Sequence, residues 1–199
     1  MNSQAISKYA KLMSELGYFS GGGRLLWKEN KRIYATRQGA DLSLISDGDI
    51  EDLTEWDITE KEAFDACRNM KAMVVARPPF CMECIKRGFE LTASLEDMAQ
   101  IIGYKVPVVT MRERELIKAF KRSTGVLVRE GEGYAMTMGR NPYEAYVAMT
   151  VLEKNAEVNL KAEVLGGAVK LSPVISMIER LVYVNKYSKA ERKRKDEED

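Results

Sequence analysis

The chain has 199 residues, 45% of them hydrophobic, with 31 Lys and Arg residues against 30 Asp and Glu residues. This length suffices for one domain with a sizeable core, and the balanced charge gives no sign of a nucleic-acid-binding or membrane-binding protein. Histidine is absent, which excludes Ser-His and Cys-His nucleophile pairs and removes the commonest transition-metal ligand. Three cysteines, no N-terminal apolar segment and no apolar run of about 18 residues predict a cytoplasmic protein without a disulfide framework.

The N-terminal part of the sequence predicts a helix followed by a β-hairpin. Apolar residues recur at helical spacing over residues 3–17, which is typical of an amphipathic helix. A glycine run at 21–23 then precedes two apolar stretches, 24–28 and 31–36. These stretches predict two strands joined by a short polar turn.

The middle of the chain alternates between strand and helix patterns. In order, it predicts an acidic edge strand and loop over 45–59, a helix over 59–69 capped by Thr59, a buried strand over 70–76, a helix over 81–87, a helix from 94 to 103, a strand over 106–110 and a helix over 112–122.

The clearest pattern lies in the last third of the chain. Two apolar stretches, 126–128 and 134–136, are separated by a glycine-containing turn and predict a pair of strands. A long helical pattern follows. Asn141 is its predicted N-cap, Pro142 suits its first position, and Glu144 stands where a capping box has its acid.

This long helix is expected to run to Leu165 and to end at Gly166 and Gly167. Most of its circumference is apolar, so we expect it to be covered on more than one side, either by its own domain or by another subunit. Its charged residues are predicted to form one solvent-facing stripe, made of Glu153, Lys154, Glu157 and Lys161.

The C-terminal end predicts a last helix over 174–187 and then a run of charges over 189–199. The basic stretch 192–195 is followed at once by the acidic stretch 196–199, so we interpret the run as a solvated tail and not as a nucleic-acid site. The chain is thus divided into a domain over 1–188 and a tail over 189–199. Helices between strands, and hairpins among the strands, predict an α/β domain around a mainly antiparallel sheet.

The order of these elements resembles the class II aldolase/adducin family. The long helix matches the family's pattern at Glu144-Ala145, Leu152-Glu153, Ala156, Ala162, Gly166-Gly167 and Leu171-Ser172-Pro173. The N-terminal half matches its glycine loop and, at Thr36, Gly39, Asp41 and Leu42, the turn after the hairpin. The resemblance implies a three-layer α/β/α fold over residues 3–185, sugar-phosphate lyase chemistry and a homo-oligomer, a tetramer built as a fourfold ring.

The resemblance also implies a zinc site that this sequence cannot form. Family enzymes hold zinc with two histidines in a His-Thr-His-Pro-Pro motif and a third histidine in a later glycine loop. Here the first two positions are Val75 and Arg77, and the third falls at Glu132 or Gly133. Valine has no donor atom and arginine brings a fixed positive charge, so we expect no zinc and no other cofactor. We predict that Arg77 fills the vacated position, where it either binds an anion or closes the pocket by pairing with Glu132.

Two further parts of the family's site have counterparts here. Glu60 is the nearest match to its acid/base glutamate, although an acid in the first turn of a helix is also simply favoured by the helix dipole. In the family, two loops cradle the substrate phosphate with backbone amides and short polar side chains. The matching anion-binding candidates in this sequence, to which Arg77 is added, are Gly22, Gly23, Arg24, Gln38 and Gly39.

A different interpretation arises at Cys81-Met82-Glu83-Cys84, which follows a strand and opens a helix as thioredoxin-type redox pairs do. The alternative is that both cysteines are small apolar residues on a buried helix face, and we expect them to be unreactive.

Three hypotheses for function remain open at this stage. The first is a non-catalytic binding or structural oligomer with a pocket for a small anionic ligand, for which adducin is a precedent within the family. The second is an aldehyde-lyase or epimerase that acts on phosphorylated sugars through a different centre. The third is a thiol–disulfide protein.

Overall fold

The structure, a computed structural model, describes residues 3–187 and has a seven-stranded sheet at its centre. The strands are β1 (Arg24–Glu29), β2 (Arg32–Thr36), β3 (Ile50–Asp52), β4 (Ala72–Ala76), β5 (Val108–Val109), β6 (Gly125–Val128) and β7 (Tyr134–Gly139). Their order across the sheet is β3-β2-β1-β4-β7-β6-β5. All neighbours are antiparallel except β5 and β6, so the predicted mainly antiparallel sheet is confirmed.

Helices cover both faces of the sheet. They are α1 (Ser3–Glu15), α2 (Thr59–Ala66), α3 (Pro79–Arg87), α4 (Glu96–Ile101), α5 (Glu113–Phe120), α6 (Pro142–Glu163) and α7 (Pro173–Val182), with a 3-10 turn at Asp47–Asp49 and a π-helical segment at Tyr183–Tyr187. Residues of α2 and α5 form the core on one face, whereas α1, α3, α4 and α6 supply the core on the other. The predicted three-layer arrangement is therefore confirmed. No helix between residues 3 and 187 is both long enough and apolar enough to cross a membrane.

Strand β4 lies in the middle of the sheet and contributes to both cores. Met73 and Val75 point into the core under α2 and α5, whereas Ala72, Val74 and Ala76 belong to the core on the opposite face. All five residues are buried, which is why this strand is a continuous apolar run without alternation. The segment after β4 is consequently placed at a fixed point at the end of the sheet.

The long helix α6 begins as the sequence predicts. The Asn141 side chain accepts a hydrogen bond from the backbone N–H of Glu144 at 2.9 Å, and Pro142 occupies the first turn. The Glu144 carboxylate accepts from the backbone N–H of Arg140 at 2.9 Å and from its Nε at 2.8 Å. The helix ends at Glu163, two residues earlier than predicted, and Gly167 then donates to the carbonyl of Ala162 at 2.8 Å.

The apolar faces of α6 are covered by the same chain. The helix packs against β7, α3, β4, α1 and α4. Two buried asparagines add polar contacts on the α4 side, where Asn155 accepts from the Ser94 backbone N–H and donates to the Thr92 carbonyl, both at 3.0 Å. Of the two alternatives for α6, cover by its own domain is the one observed. The helix therefore gives no argument for a second subunit.

The prediction that Glu153 faces solvent is wrong. Its side chain is buried, with 6% of the residue exposed, and its two carboxylate oxygens accept from the backbone N–H groups of Phe80 and Cys81 at 2.8 Å each. These groups lie in the first turn of α3, whose N-cap position is held by Pro78 without a side-chain hydrogen bond. Glu153 thus caps α3 from another helix, because free N–H groups and the positive end of the dipole need an acceptor there. Burial raises the pKa of Glu153, and the two backbone hydrogen bonds act in the opposite direction.

Other differences from the predicted elements are small. Thr59 is the first residue of α2 and not its cap, because Ile58 takes the N-cap position without a side-chain hydrogen bond. Strand β5 has two residues where five were predicted, since it pairs only along Val108 and Val109. The predicted tail over 189–199 lies outside the described residues.

Replacing Glu153 by Ala should lower the free energy of unfolding by about 2–4 kcal/mol, because two buried N–H groups lose their acceptor. Glu153→Gln should lower the free energy of unfolding by a smaller amount, since the amide keeps one oxygen that can accept a hydrogen bond. Glu157→Ala is the matched control on the same helix; its carboxylate pairs with Lys154 and Lys161 at the surface, so its loss should matter far less. Urea unfolding measures all three, and an equal effect of Glu153→Ala and Glu157→Ala would contradict the buried cap.

Candidate functional site

The predicted site residues gather where β4 ends beside the glycine run of residues 21–23. Arg24 in β1 lies opposite Val75 in β4, and Val75 lies opposite Met136 in β7. Facing residues of adjacent strands point to the same side of a sheet. Arg24 and Val75 therefore share the face that α2 and α5 cover, and Arg77 comes two residues beyond Val75.

Arg77 is held by the loop that leads from α1 to β1. Its backbone N–H donates to the carbonyl of Tyr18 at 2.8 Å, and its guanidinium donates to the carbonyl of Gly21 at 2.6 Å. The same guanidinium nitrogen lies 2.9 Å from a carboxylate oxygen of Glu132, in the turn between β6 and β7. Of the two alternatives for Arg77, the observed contact with Glu132 is that of the closed pocket.

Two glycines of the loop lie at this close approach. A Cβ at Gly21 would lie 2.7 Å from Cδ of Arg77, and a Cβ at Gly23 would lie 2.5 Å from both the Val75 carbonyl oxygen and the Phe19 ring. A side chain at position 23 would clash with backbone, so the loop needs glycine there to pack on the end of β4, whereas a side chain at position 21 would require the flexible Arg77 side chain to move. Steric fit therefore explains the glycine at position 23 without any bound anion.

Arg24 and Glu60 form a second polar group on the α2 side of the sheet. The Arg24 guanidinium lies 3.3 Å from the Glu60 carboxylate and 3.9 Å from that of Glu51, and all three side chains are less than 20% exposed. Tyr134 lies near Arg24 and Glu60. The pKa of its hydroxyl is raised mainly by burial and also by the negative charge of Glu60. The carboxylate of Glu60 is therefore engaged by an arginine.

A pocket of about 370 Å³ lies between the glycine loop and the turn after β2. Its lining includes Gly22, Gly23 and Gly39, together with the polar residues Ser20, Asp41 and Ser43. Three other candidates lie elsewhere. Arg24 and Arg77 make the contacts described above, and Gln38 is exposed outside the pocket lining.

The polar groups of this pocket are partly engaged within the protein. The Gly22 N–H donates to the Phe19 carbonyl at 2.8 Å, so it is not directed at a ligand. The Asp41 carboxylate accepts from the backbone N–H and the hydroxyl of Ser43 at 2.9 and 2.6 Å, and these hydrogen bonds lower its pKa. Asp41 is therefore ionised at neutral pH and places a negative charge at the pocket.

The residues at the implied zinc position do not fit a metal ion. Val75 offers no donor atom, Arg77 is a permanent cation, and the carboxylate of Glu132 is paired with that cation. Among residues 3–187, no group of three or more Cys, Asp or Glu side chains is arranged to hold a metal ion. No step through zinc can be derived for this site.

The Cys81–Cys84 pair lies in the core between α3 and α6. Both residues are buried and both thiols are free. Burial raises the pKa of Cys84 to about 12 and that of Cys81 well above its usual value, with Glu153 adding to both shifts. Nucleophilic thiols need the opposite environment. The pair has the surroundings of structural cysteines and not those of a redox centre.

Comparisons with known proteins give a fold but no sequence family. No protein-family model matches the chain, and no curated protein matches it in sequence. Among solved structures, an L-fuculose 1-phosphate aldolase superposes with a TM-score of 0.76 at 19% identity, covering 90% of this chain and 94% of that one. L-fuculose-1-phosphate aldolase from Thermus thermophilus gives a TM-score of 0.68 at 18% identity, covering 85% of this chain and 97% of that one. Sugar-phosphate aldolase from Thermotoga maritima gives 0.66 at 15% identity, covering 82% and 95%.

The chain thus has the class II aldolase fold that its sequence pattern implied. Sequence reasoning named Arg77, Glu132 and Glu60 as candidates, but it did not name three other residues of this region. Glu51 and Tyr134 come next to Arg24 and Glu60 only through the strand order, for which the sequence held no signal. Asp41 was noted as a match to the family's turn, and its Asp-Leu-Ser sequence could have indicated the capped turn that places it at the pocket.

Proposed function

We propose that this chain is a class II aldolase-like protein without metal-dependent chemistry, which acts as a binding or structural homo-oligomer. The observation that carries the proposal is the position of the Arg77 guanidinium, between the Gly21 carbonyl and the Glu132 carboxylate. A cation that cannot lose its proton stands where the related fold would need a metal ligand. Adducin-like use of the fold, for interaction and not for catalysis, fits this arrangement.

The pocket between the glycine loop and the turn at Gly39–Ser43 is the proposed ligand site. Its volume of about 370 Å³ lies in the range of small-molecule sites. Its hydroxyls and glycine backbone suit a small phosphorylated or carboxylated molecule, in line with the sugar phosphates named for the structural neighbours. The negative charge of Asp41 disfavours the binding of an anion in this pocket. Removing that charge therefore tests the proposal.

A second candidate is a lyase or epimerase that acts on phosphorylated sugars through a centre of its own. Glu60 matches the family's acid/base glutamate and lies near the half-buried Tyr134, which favours this candidate, but its carboxylate is paired with Arg24. Sugar-phosphate cleavage that is lost in Glu60→Gln would support it. The thiol–disulfide hypothesis is not favoured, because both thiols are buried and have raised pKa values.

The homo-oligomer, with the tetramer as its expected size, and a cytoplasmic location complete the proposal. The family resemblance supplies the expectation of an oligomer, and the three unpaired cysteines are consistent with a reducing compartment.

The closed site predicts that Arg77→Ala destabilises the protein in the absence of any ligand. The expected loss is about 1–2 kcal/mol, because a hydrogen bond to the Gly21 carbonyl and the packing of the arginine stem disappear. Glu132→Ala should cost under about 0.5 kcal/mol, since the Glu132 side chain is 84% exposed and a solvated ion pair contributes little. Both losses are measured by urea unfolding.

Arg87→Ala is the matched control, because Arg87 makes surface ion pairs with Glu83 and Glu163. Unchanged stability in Arg77→Ala would contradict the closed site. A phosphate-dependent stabilisation of the wild type that Arg77→Ala abolishes would instead assign Arg77 to an anion site.

The pocket predicts a modest stabilisation by inorganic phosphate that increases in Asp41→Asn. With a Kd of about 1 mM, 10 mM phosphate stabilises by about 1.4 kcal/mol and raises the Tm by roughly 3–6 °C. Asp41→Asn keeps an oxygen for Ser43 and removes the charge that repels the anion, so the phosphate shift should grow.

Asp52→Asn is the control, because Asp52 accepts from the N–H and hydroxyl of Thr54 in the same way, outside the pocket. Scanning calorimetry at constant ionic strength gives the shifts. Equal phosphate shifts in the wild type, Asp41→Asn and Asp52→Asn would exclude this pocket as the anion site.

A further inference from the structure

The helix α7 packs with its polar side toward the protein and its apolar side outward, which is the reverse of a normal surface helix. Its inward side is polar: Ser176 is 1% exposed, Glu179 accepts from the Gln100 side chain at 2.9 Å, and Arg180 donates to the carbonyls of Gln100 and Ile101 at 3.2 and 2.8 Å. Surface helices of globular proteins bury the apolar stripe and expose the polar one. Here the polar side holds the helix on the C-terminal end of α4.

The outward side of α7 is apolar. Six side chains there are between 43% and 61% exposed. We call them the outer α7 face: Val174, Ile175, Met177, Ile178, Leu181 and Val182. In α7 the charged residues Glu179 and Arg180 both point inward to α4, so the outer α7 face carries no charge.

The outer α7 face has the area of a large apolar patch and could form the centre of an interface, but not the whole of one. At about 25 cal/mol per Å² and up to ~3 kcal/mol for a fully buried side chain, the six half-exposed residues present on the order of 400 Å². Val164, Leu165 and Val169, in the segment that leads to α7, are also 87–90% exposed. A stable interface buries about 800 Å² per partner, whereas the largest patch on a typical monomer is about 300–600 Å².

The sequence after residue 187 offers no apolar segment that would complement the outer α7 face. Residues 188–199 read SKAERKRKDEED, in which a single alanine is the only apolar residue. Nor does the face resemble a membrane-binding helix, because such helices place Lys and Arg beside the apolar stripe. Here the one arginine of α7 donates to the carbonyls of α4.

The surface that matches the outer α7 face is the same face on another copy. Elsewhere in the described part of the chain, the exposed large apolar residues are Leu16, Leu44, Trp56, Val108 and Tyr143, which lie on separate elements, and Val184, which follows α7 in the π-helical segment. An uncharged apolar surface can meet itself without electrostatic repulsion, and homodimer interfaces are the more apolar class.

We propose that the outer α7 face docks against the outer α7 face of a second copy of this chain in a two-fold contact. This proposal rests on the homo-oligomer of the proposed function and names its surface. A contact of one patch with itself is isologous. It therefore builds dimers, and a tetramer only as a pair of dimers, whereas a fourfold ring alone would need a different surface.

The test measures the molar mass of the full chain by light scattering during size exclusion, at about 10 μM, a concentration at which contacts with micromolar or tighter Kd persist. The chain mass is 22.5 kDa, and the wild type should elute at twice or four times that value. Ile178→Glu and Leu181→Glu should each halve the observed mass. Leu44→Glu is the matched control, because Leu44 is 77% exposed in the loop between β2 and β3, and it should leave the mass unchanged.

Circular dichroism establishes that each variant is folded. An oligomeric wild type whose mass survives both α7 substitutions would overturn this inference and leave the proposed oligomer standing. A monomeric wild type would overturn both. A monomer that also sediments with phosphatidylcholine–phosphatidylserine vesicles, and loses that ability in Ile178→Glu, would assign the outer α7 face to a membrane surface instead.

Discussion

The hydrogen bonds of Arg77 are the contact on which the candidate site depends. Its backbone and side chain together fix the loop from Tyr18 to Gly21 on the end of the central strand. The arginine stem fills the space beside Gly21, so a side chain at that loop position would displace it. The ion pair with Glu132 then connects the loop to the β6–β7 turn. One cation thus joins three chain segments at the end of the central strand.

The arginine is held in place by the elements on either side of it. Strand β4 before it is buried in the centre of the sheet, and α3 after it is capped by the buried Glu153 of α6. Burying a carboxylate is costly unless it receives hydrogen bonds, and here two backbone N–H groups and the positive end of a helix dipole provide them. The long helix α6 therefore anchors the segment that carries Arg77. This support is independent of any ligand, as a structural role requires.

Much of this organisation could be predicted from the sequence, because local patterns specify it. The cap at Asn141, the buried strand β4 and the antiparallel sheet follow from turn residues and hydrophobic period. Glu153 could not be predicted, because its partners lie more than 70 residues away along the chain and a charge on a helix is most often solvated. The inverted helix α7 was missed for a related reason. The helix itself was predicted, but a helical pattern does not say whether its apolar side faces the core or another molecule.

The central claim is that metal chemistry has been replaced by an internal arginine contact, and the zinc content of the purified protein tests it most directly. The protein is expressed with zinc in the medium and without an affinity tag that binds metal. Elemental analysis of this protein should give far less than one zinc per chain. Structural and catalytic zinc sites bind tightly enough to survive purification. A value close to one zinc per chain, reduced in Glu60→Gln, would contradict the account and restore a metal-dependent activity to this fold.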